Sequence, residues 1–179
     1  DTDGDGDREL LIGAPSNDST KPDAGAVYVL DMDGDSETSV VDGKQLAGIG
    51  DGDLAGWSVA GVGDTDADGY DDILVGAPYN DSTGNNSGAA YLVTGPIDDN
   101  ESLEEVGVTL SGVSTGDRAG WDVAAAGSGD VNCDDRDDIR THIHHVDVVD
   151  NPADSLGYGV VVVEGCPLVE LSYFDNNRH

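Results

Sequence analysis

The chain repeats itself, and the period of that repeat limits what it can fold into. Residues 1–15, DTDGDGDRELLIGAP, align without a gap on residues 64–78, DTDADGYDDILVGAP, at an offset of 63. The match runs on through Asn17-Asp18-Ser19-Thr20 against Asn80-Asp81-Ser82-Thr83, and through Gly25-Ala26-Val27-Tyr28-Val29 against Gly88-Ala89-Ala90-Tyr91-Leu92. A second segment, GDLAGWSVAGVGD at 52–64, returns as GDRAGWDVAAAGSGD at 116–130, with Trp57 against Trp121 at an offset of 64. A third acidic loop then opens at Asp130, 66 residues after Asp64. Units of this length are supersecondary modules that bury their apolar faces against one another.

Each unit reads as about four strands. The expected strands of the complete unit cover 57–62, 73–76, 89–93 and 108–110, and 45–47 in the preceding unit matches the last of these. The linkers 31–41 and 95–105 are acidic and read as exposed loops. A single four-stranded sheet cannot bury both faces, so the units must pack on one another. Radial packing gives an all-β fold, a partial β-propeller of about 2.5 blades of four-stranded antiparallel sheet. The organisation is a partial repeat over 1–48, a complete one over 49–112, the start of a third over 113–139, and a divergent or out-of-frame segment over 140–179.

The loops at the head of each unit carry the chemistry. In the central one, Asp64, Asp66, Asp68 and Asp72 place side-chain oxygens at positions one, three, five and nine, and Gly69 offers a residue free to take positive φ. Four carboxylates in nine residues repel one another, and a hard divalent cation removes that penalty. Calcium takes six to eight oxygens in a flexible shell, with a backbone carbonyl at position seven, here Tyr70. The first loop supplies Asp1, Asp3, Asp5, Asp7 and Glu9 in the same places, and the third supplies Asp130, Asn132, Asp134, Arg136 and Asp138; Asp7 and Arg136 stand at the carbonyl position. The spacing resembles an EF-hand, but that loop closes with a Glu at position twelve and runs into a helix. Position twelve here is Val75, inside an apolar run stopped by Gly76-Ala77-Pro78, so a strand follows the loop. The same strand argues against a dockerin-like module.

Composition narrows the partners. There are 38 acidic residues against 7 basic ones among 179, a formal net charge of −31. Such a surface repels DNA, RNA and anionic lipid. Three bound calcium ions would offset only a fraction of it. The surplus reads either as adaptation to high salt, where dense carboxylates are screened, or as an acidic secreted protein; the shortage of lysine, only Lys21 and Lys44, favours the first. No apolar run approaches a membrane-spanning length. Because the chain starts at Asp1, already a ligand position, it reads as an internal piece of a longer protein. Cys133 and Cys166 allow one bridge at most.

The Gly-Trp strand, the GD-x-D/N-x-D loop and the GAP terminator together resemble the FG-GAP repeat of the integrin α-subunit propeller. The aromatic element here is Ala55-Gly56-Trp57 and Ala119-Gly120-Trp121, so the namesake Phe-Gly pair is replaced. The resemblance covers residues 1 to about 139. It implies an arc of a seven-bladed ring with calcium in loops between the first and second strands of certain blades, on the face opposite the one that binds ligands. It also implies an extracellular or cell-surface setting and adhesion to a protein or glycan.

After Ile139 the repeat fails, and Arg140-Thr141-His142-Ile143-His144-His145 stands where LVGAP is expected. Three readings stay open: a diverged or frame-shifted terminus, a closing hairpin with strands over 158–164 and 168–174, and a transition-metal site. For the last, His142 and His144 would share one face of a strand, and imidazole suits zinc. The run THIHHVD is similar to the THxHxDH motif of metallo-β-lactamase-like hydrolases, but Val146-Asp147 replaces the Asp-His it needs.

No G-x-S-x-G, P-loop or dinucleotide fingerprint is present, so a non-catalytic role is expected. Sequons at Asn17, Asn80, Asn85 and Asn100 suit a glycoprotein. The expectation is a calcium-stabilised adhesion or binding scaffold. The alternative is the accessory propeller of a cell-surface hydrolase whose catalytic domain lies outside this chain, since the same repeats occur in glycosylphosphatidylinositol-cleaving phospholipase D.

Overall fold

The computed structural model describes residues 1–32, 43–125, 139–143 and 159–163. The described elements are β1 (Glu9–Ala14), β2 (Ala26–Asp31), β3 (Lys44–Ala47), β4 (Ser58–Gly63), β5 (Asp72–Ala77), β6 (Ala89–Val93), β7 (Glu101–Ser102), α1 (Leu103–Val106), β8 (Gly107–Ser111), β9 (Asp122–Ala125), β10 (Ile139–Ile143) and β11 (Gly159–Val163). They form three sheets, in the orders β1-β2-β3-β7, β4-β5-β6-β8 and β11-β10-β9. The fold is all-β and built from repeated sheets, as the period requires.

The central sheet is an antiparallel meander with Ser58 opposite Gly76, Val75 opposite Tyr91 and Tyr91 opposite Thr109. Every residue of β5 is buried. Alternation along the strand explains how: Ile73, Val75 and Ala77 join a core with Val27, Val29 and Leu46 of the first sheet, while Leu74 joins Val62, Ala90 and Val123 toward the third. A strand buried on both faces reads as an unbroken apolar run, which is what Ile73-Leu74-Val75 is.

The seams between sheets repeat as faithfully as the strands. Gly52 N, Leu54 N and Ala55 N donate to the carbonyls of Pro22, Asp23 and Ala24 at 2.9, 3.1 and 3.0 Å. One unit later, Gly116 N, Arg118 N and Ala119 N donate to Asn85, Asn86 and Ser87 at 3.0, 3.2 and 3.0 Å. The GD-x-AGW segment is therefore the joint that ties each blade to the one before it.

Two features depart from the sequence reading. The first sheet takes its fourth strand from the next unit: β7 pairs with β3 in parallel, Leu46 opposite Glu101 and Ala47 opposite Ser102, so that sheet is not wholly antiparallel. The linker over 95–105 is accordingly not a plain exposed loop. Ile97 and Leu103 are buried in the core between the first two sheets, and Ser102 Oγ caps α1 by accepting from Glu104 N at 3.2 Å. Two apolar anchors in an otherwise acidic stretch were enough to pull it onto the blade edge, which would otherwise stand unpaired.

In the third sheet β9 pairs with β10 and β10 with β11. Asp122 lies opposite His142 there, as Ser58 lies opposite Gly76, so β10 takes the place of β5 although its sequence has left the repeat. The expected strand over 168–174, both cysteines and His144 lie outside the described residues.

Candidate metal centre

Both described loops sit at the same end of their sheets, and each leads into a strand. Loop 2 leaves β4 at Gly63 and enters β5 at Asp72, whose Cα pairs with Gly63 across a β-bulge. Loop 1 enters β1 at Glu9, the equivalent residue.

The two loops are wired alike. Asp3 Oδ1 accepts from Asp5 N at 3.2 Å and Asp5 Oδ1 from Asp7 N at 2.8 Å; one unit on, Asp66 Oδ1 accepts from Asp68 N at 3.1 Å and Asp68 Oδ1 from Tyr70 N at 2.9 Å. Each bond is a side chain folding back on the amide two residues ahead, the Asx turn that Asp favours. Asp64 gathers the turn further, accepting from Ala67 N, Asp68 N and Gly69 N at 2.6, 3.1 and 2.9 Å. Gly6 and Gly69 take φ of 93° and 97°, the positive value expected of that position.

This curling turns the carboxylates inward. In loop 1, one oxygen from each of Asp1, Asp3, Asp5 and Glu9 lies within 4.8 Å of the others; in loop 2 the same holds for Asp64, Asp66 and Asp72. Asp68 lies outside that second group, and Asp7 and Tyr70 enter neither as side chains. The third loop, with Asp130, Asn132, Asp134, Arg136 and Asp138, lies outside the described residues.

The residues at position nine are the buried ones. Asp72 is fully buried, and burial pushes its carboxyl above the usual carboxylate value, opposed by hydrogen bonds from Thr65 and Gly95. Glu9 has a side chain only 3% exposed, and its Oε1 has no partner. A buried carboxylate oxygen with no donor, grouped with three more carboxylates, suits an oxygen-seeking cation such as calcium. The residues present fit that ion.

Sequence reasoning missed the second residue of each loop. Thr2 N donates to Glu9 Oε2 at 2.6 Å and Thr65 N to Asp72 Oδ2 at 2.7 Å, closing the loop across seven residues. The DTD start of both loops carried the signal. It also missed the contact between loops: Asp71 N donates to the Asp1 carbonyl at 3.0 Å, and a Cβ on Gly4 would lie 2.6 Å from the Tyr70 ring. A cleft of about 510 Å³ lies between them, lined by Thr2, Glu9, Gly63, Asp71 and Asp72 among others.

The opposite ends of the strands carry an aromatic cluster. Trp57, 41% exposed, lies 5.1 Å from Trp121 and 6.0 Å from Tyr79, ring centre to ring centre. Arg118 places its guanidinium carbon 5.2 Å from the centres of both Tyr79 and Trp121.

The FG-GAP repeat family matches residues 1–30 and 55–93, which take in both described loops, the GAP terminators and the strands that follow them. The chain carries FG-GAP repeats. Its sheets are accordingly blades, and the described structure is part of a β-propeller. No curated protein matches the chain. Among the described residues no helix is long and apolar enough to cross a membrane.

Proposed function

We propose that these FG-GAP blades form a non-catalytic, calcium-stabilised scaffold in an extracellular or cell-surface protein, acting in adhesion or in binding a protein or glycan. The observation that carries the reading is the convergence of Asp1, Asp3, Asp5 and Glu9 around a buried carboxylate oxygen without a donor. The ion would be held by those four in loop 1 and by Asp64, Asp66 and Asp72 in loop 2. It supplies positive charge that offsets the carboxylate repulsion at the head of a blade. Because the clusters assemble only when the loops fold, binding and folding are linked.

The ligand-binding part rests on the other face. The cluster of Trp57, Tyr79, Trp121 and Arg118 combines exposed aromatic surface with hydrogen-bond donors, a combination that suits sugar rings and protein side chains alike. Its place, opposite the loops, agrees with the ligand face implied by the integrin resemblance.

Calorimetric titration of the chelator-treated chain with calcium tests the first part. Binding is expected, together with a rise in melting temperature in calcium over chelator. A titration with no heat and no shift in melting removes the proposal.

A further inference from the structure

The two described loops differ at their buried ends, and we infer that loop 1 is the tight calcium site, linked to folding, whereas loop 2 is a weaker site that fills and empties without unfolding the blade; this rests on the calcium reading above.

The difference begins with one methylene. Asp72 reaches three donors: its Oδ2 accepts from Thr65 N and Thr65 Oγ1, and its Oδ1 accepts from Gly95 N at 3.0 Å. It is a strut between loop 2 and the turn after β6, satisfied before any ion arrives. Glu9, one carbon longer, accepts from Thr2 N alone among the equivalent donors. Thr2 Oγ1, the counterpart of Thr65 Oγ1, is buried without a partner, and so is Glu9 Oε1. The counterpart of Gly95 is Met32, and its amide goes to the Arg8 carbonyl at 3.2 Å instead.

Two consequences follow. A cation in loop 1 meets four convergent carboxylates instead of three, and ligand charge is a main determinant of calcium affinity. It also satisfies a buried oxygen that otherwise has nothing, so withholding the ion penalises the folded state itself. In loop 2 the ion competes with donors already in place on Asp72, and its absence leaves no such orphan. The blade keeps its shape either way.

The test is calorimetric titration of the full chain with calcium chloride after chelation, paired with melting curves, on wild type, Glu9→Gln and Asp64→Asn. Two affinity classes at least ~10-fold apart are expected. Glu9→Gln, which keeps an acceptor for Thr2 N, should remove the tight class and most of the calcium-induced rise in melting temperature. Asp64→Asn should remove the weak class and leave that rise. The double variant reports whatever the third loop binds, so assignment does not depend on counting ions. Should Glu9→Gln fail to fold even in calcium, Asp5→Asn, at an exposed position of the same cluster, takes its place with the same expected losses. Equal affinities, or loss of the tight class in Asp64→Asn, overturn the ranking and leave the calcium reading standing. No binding in wild type overturns that reading and the ranking with it.

Discussion

The carbonyl oxygen of Gly120 lies 2.0 Å from where a Cβ on Gly76 would stand. The same contact occurs one unit earlier, where the Gly56 carbonyl lies 2.1 Å from a Cβ on Gly13. The glycine of the GAP terminator is thus explained by neighbouring blades, which meet backbone to backbone at that point. The partner in each case is backbone held by strand and turn hydrogen bonds, so it cannot rotate away as a side chain would. Gly76→Ala should therefore cost about 2–3 kcal/mol or prevent folding, as expected for overpacking with nowhere to relax. Gly61→Ala is the control: it lies in β4 with open space around its Cβ position, and its change in stability should stay within about 0.5 kcal/mol. Urea unfolding of both variants decides it. Equal effects would mean the close approach is not what selects glycine.

The aromatic cluster makes a second joint across the same seam. Tyr79 follows β5 of the second blade, Trp121 and Arg118 belong to the third, and Arg118 lies over both rings. Arg118→Gln removes the cation and keeps much of the side chain's length. It should lower stability by about 1 kcal/mol, given the usual strength of such contacts at partly exposed sites, and shift tryptophan emission because both indoles lie in the cluster. Unchanged emission together with unchanged stability would mean that the guanidinium contributes nothing there.

The sequence showed the blades and most of the candidate centre because both are local in their causes. The period of 63 to 66 exposed the units, the apolar run from Ile73 and the alternation around Tyr91 located strands to within a residue or two, and the Asx-rich loops announced their own curl. What it hid depends on contacts between units. The pairing of β7 with β3 joins Leu46 to Glu101 across 55 residues, and nothing in an acidic linker signals the edge it will cover. Nor does a Glu at position nine look different from an Asp until the donors around each are known. Arg118, which stands against Leu54 in the repeat, becomes a cation over aromatic rings once the blades are side by side.

The sequon at Asn80 has a structural use that bears on glycosylation. Asn80 is buried; its Nδ2 donates to Asp53 Oδ2 at 2.7 Å and to Tyr91 OH at 3.2 Å, while its Oδ1 accepts from Ser82 N at 3.0 Å. Asn17 repeats the last bond with Ser19 N at 2.8 Å and donates to Tyr28 OH at 3.0 Å. The recurring Asn-Asp-Ser is thus an Asx turn whose amide is buried at Asn80 and partly buried at Asn17, which accounts for its fixed place in both units without any glycan. Asn85, by contrast, is exposed. In material secreted from a glycosylating host, glycopeptide mass spectrometry should find folded protein occupied at Asn85 and bare at Asn80. A glycan at Asn80 in folded protein would contradict the buried network.

Asp53, the partner of Asn80, gives a pH dependence with a definite sign. It is 4% exposed, and burial pushes its carboxyl above the ordinary value of 3.8, with the hydrogen bond from Asn80 acting in the opposite direction. A carboxyl whose folded pKa is raised holds its proton more tightly in the folded chain than in the unfolded one. Its contribution to stability is full below 3.8 and is lost as the pH rises through the folded value. Asp53→Asn keeps an acceptor for Asn80 and carries no charge, so it should not share that loss. Subtracting wild type from variant cancels the titration of the other acidic groups. The stability difference should be flat below about pH 3.8 and should move in favour of the variant as the pH rises above it, levelling once the buried group is ionised. Urea unfolding of both proteins in chelator, from about pH 3 to about pH 7, measures it directly. A difference that moved toward wild type with rising pH would mean that the hydrogen bond from Asn80 outweighs burial and that Asp53 is held as a stabilised anion.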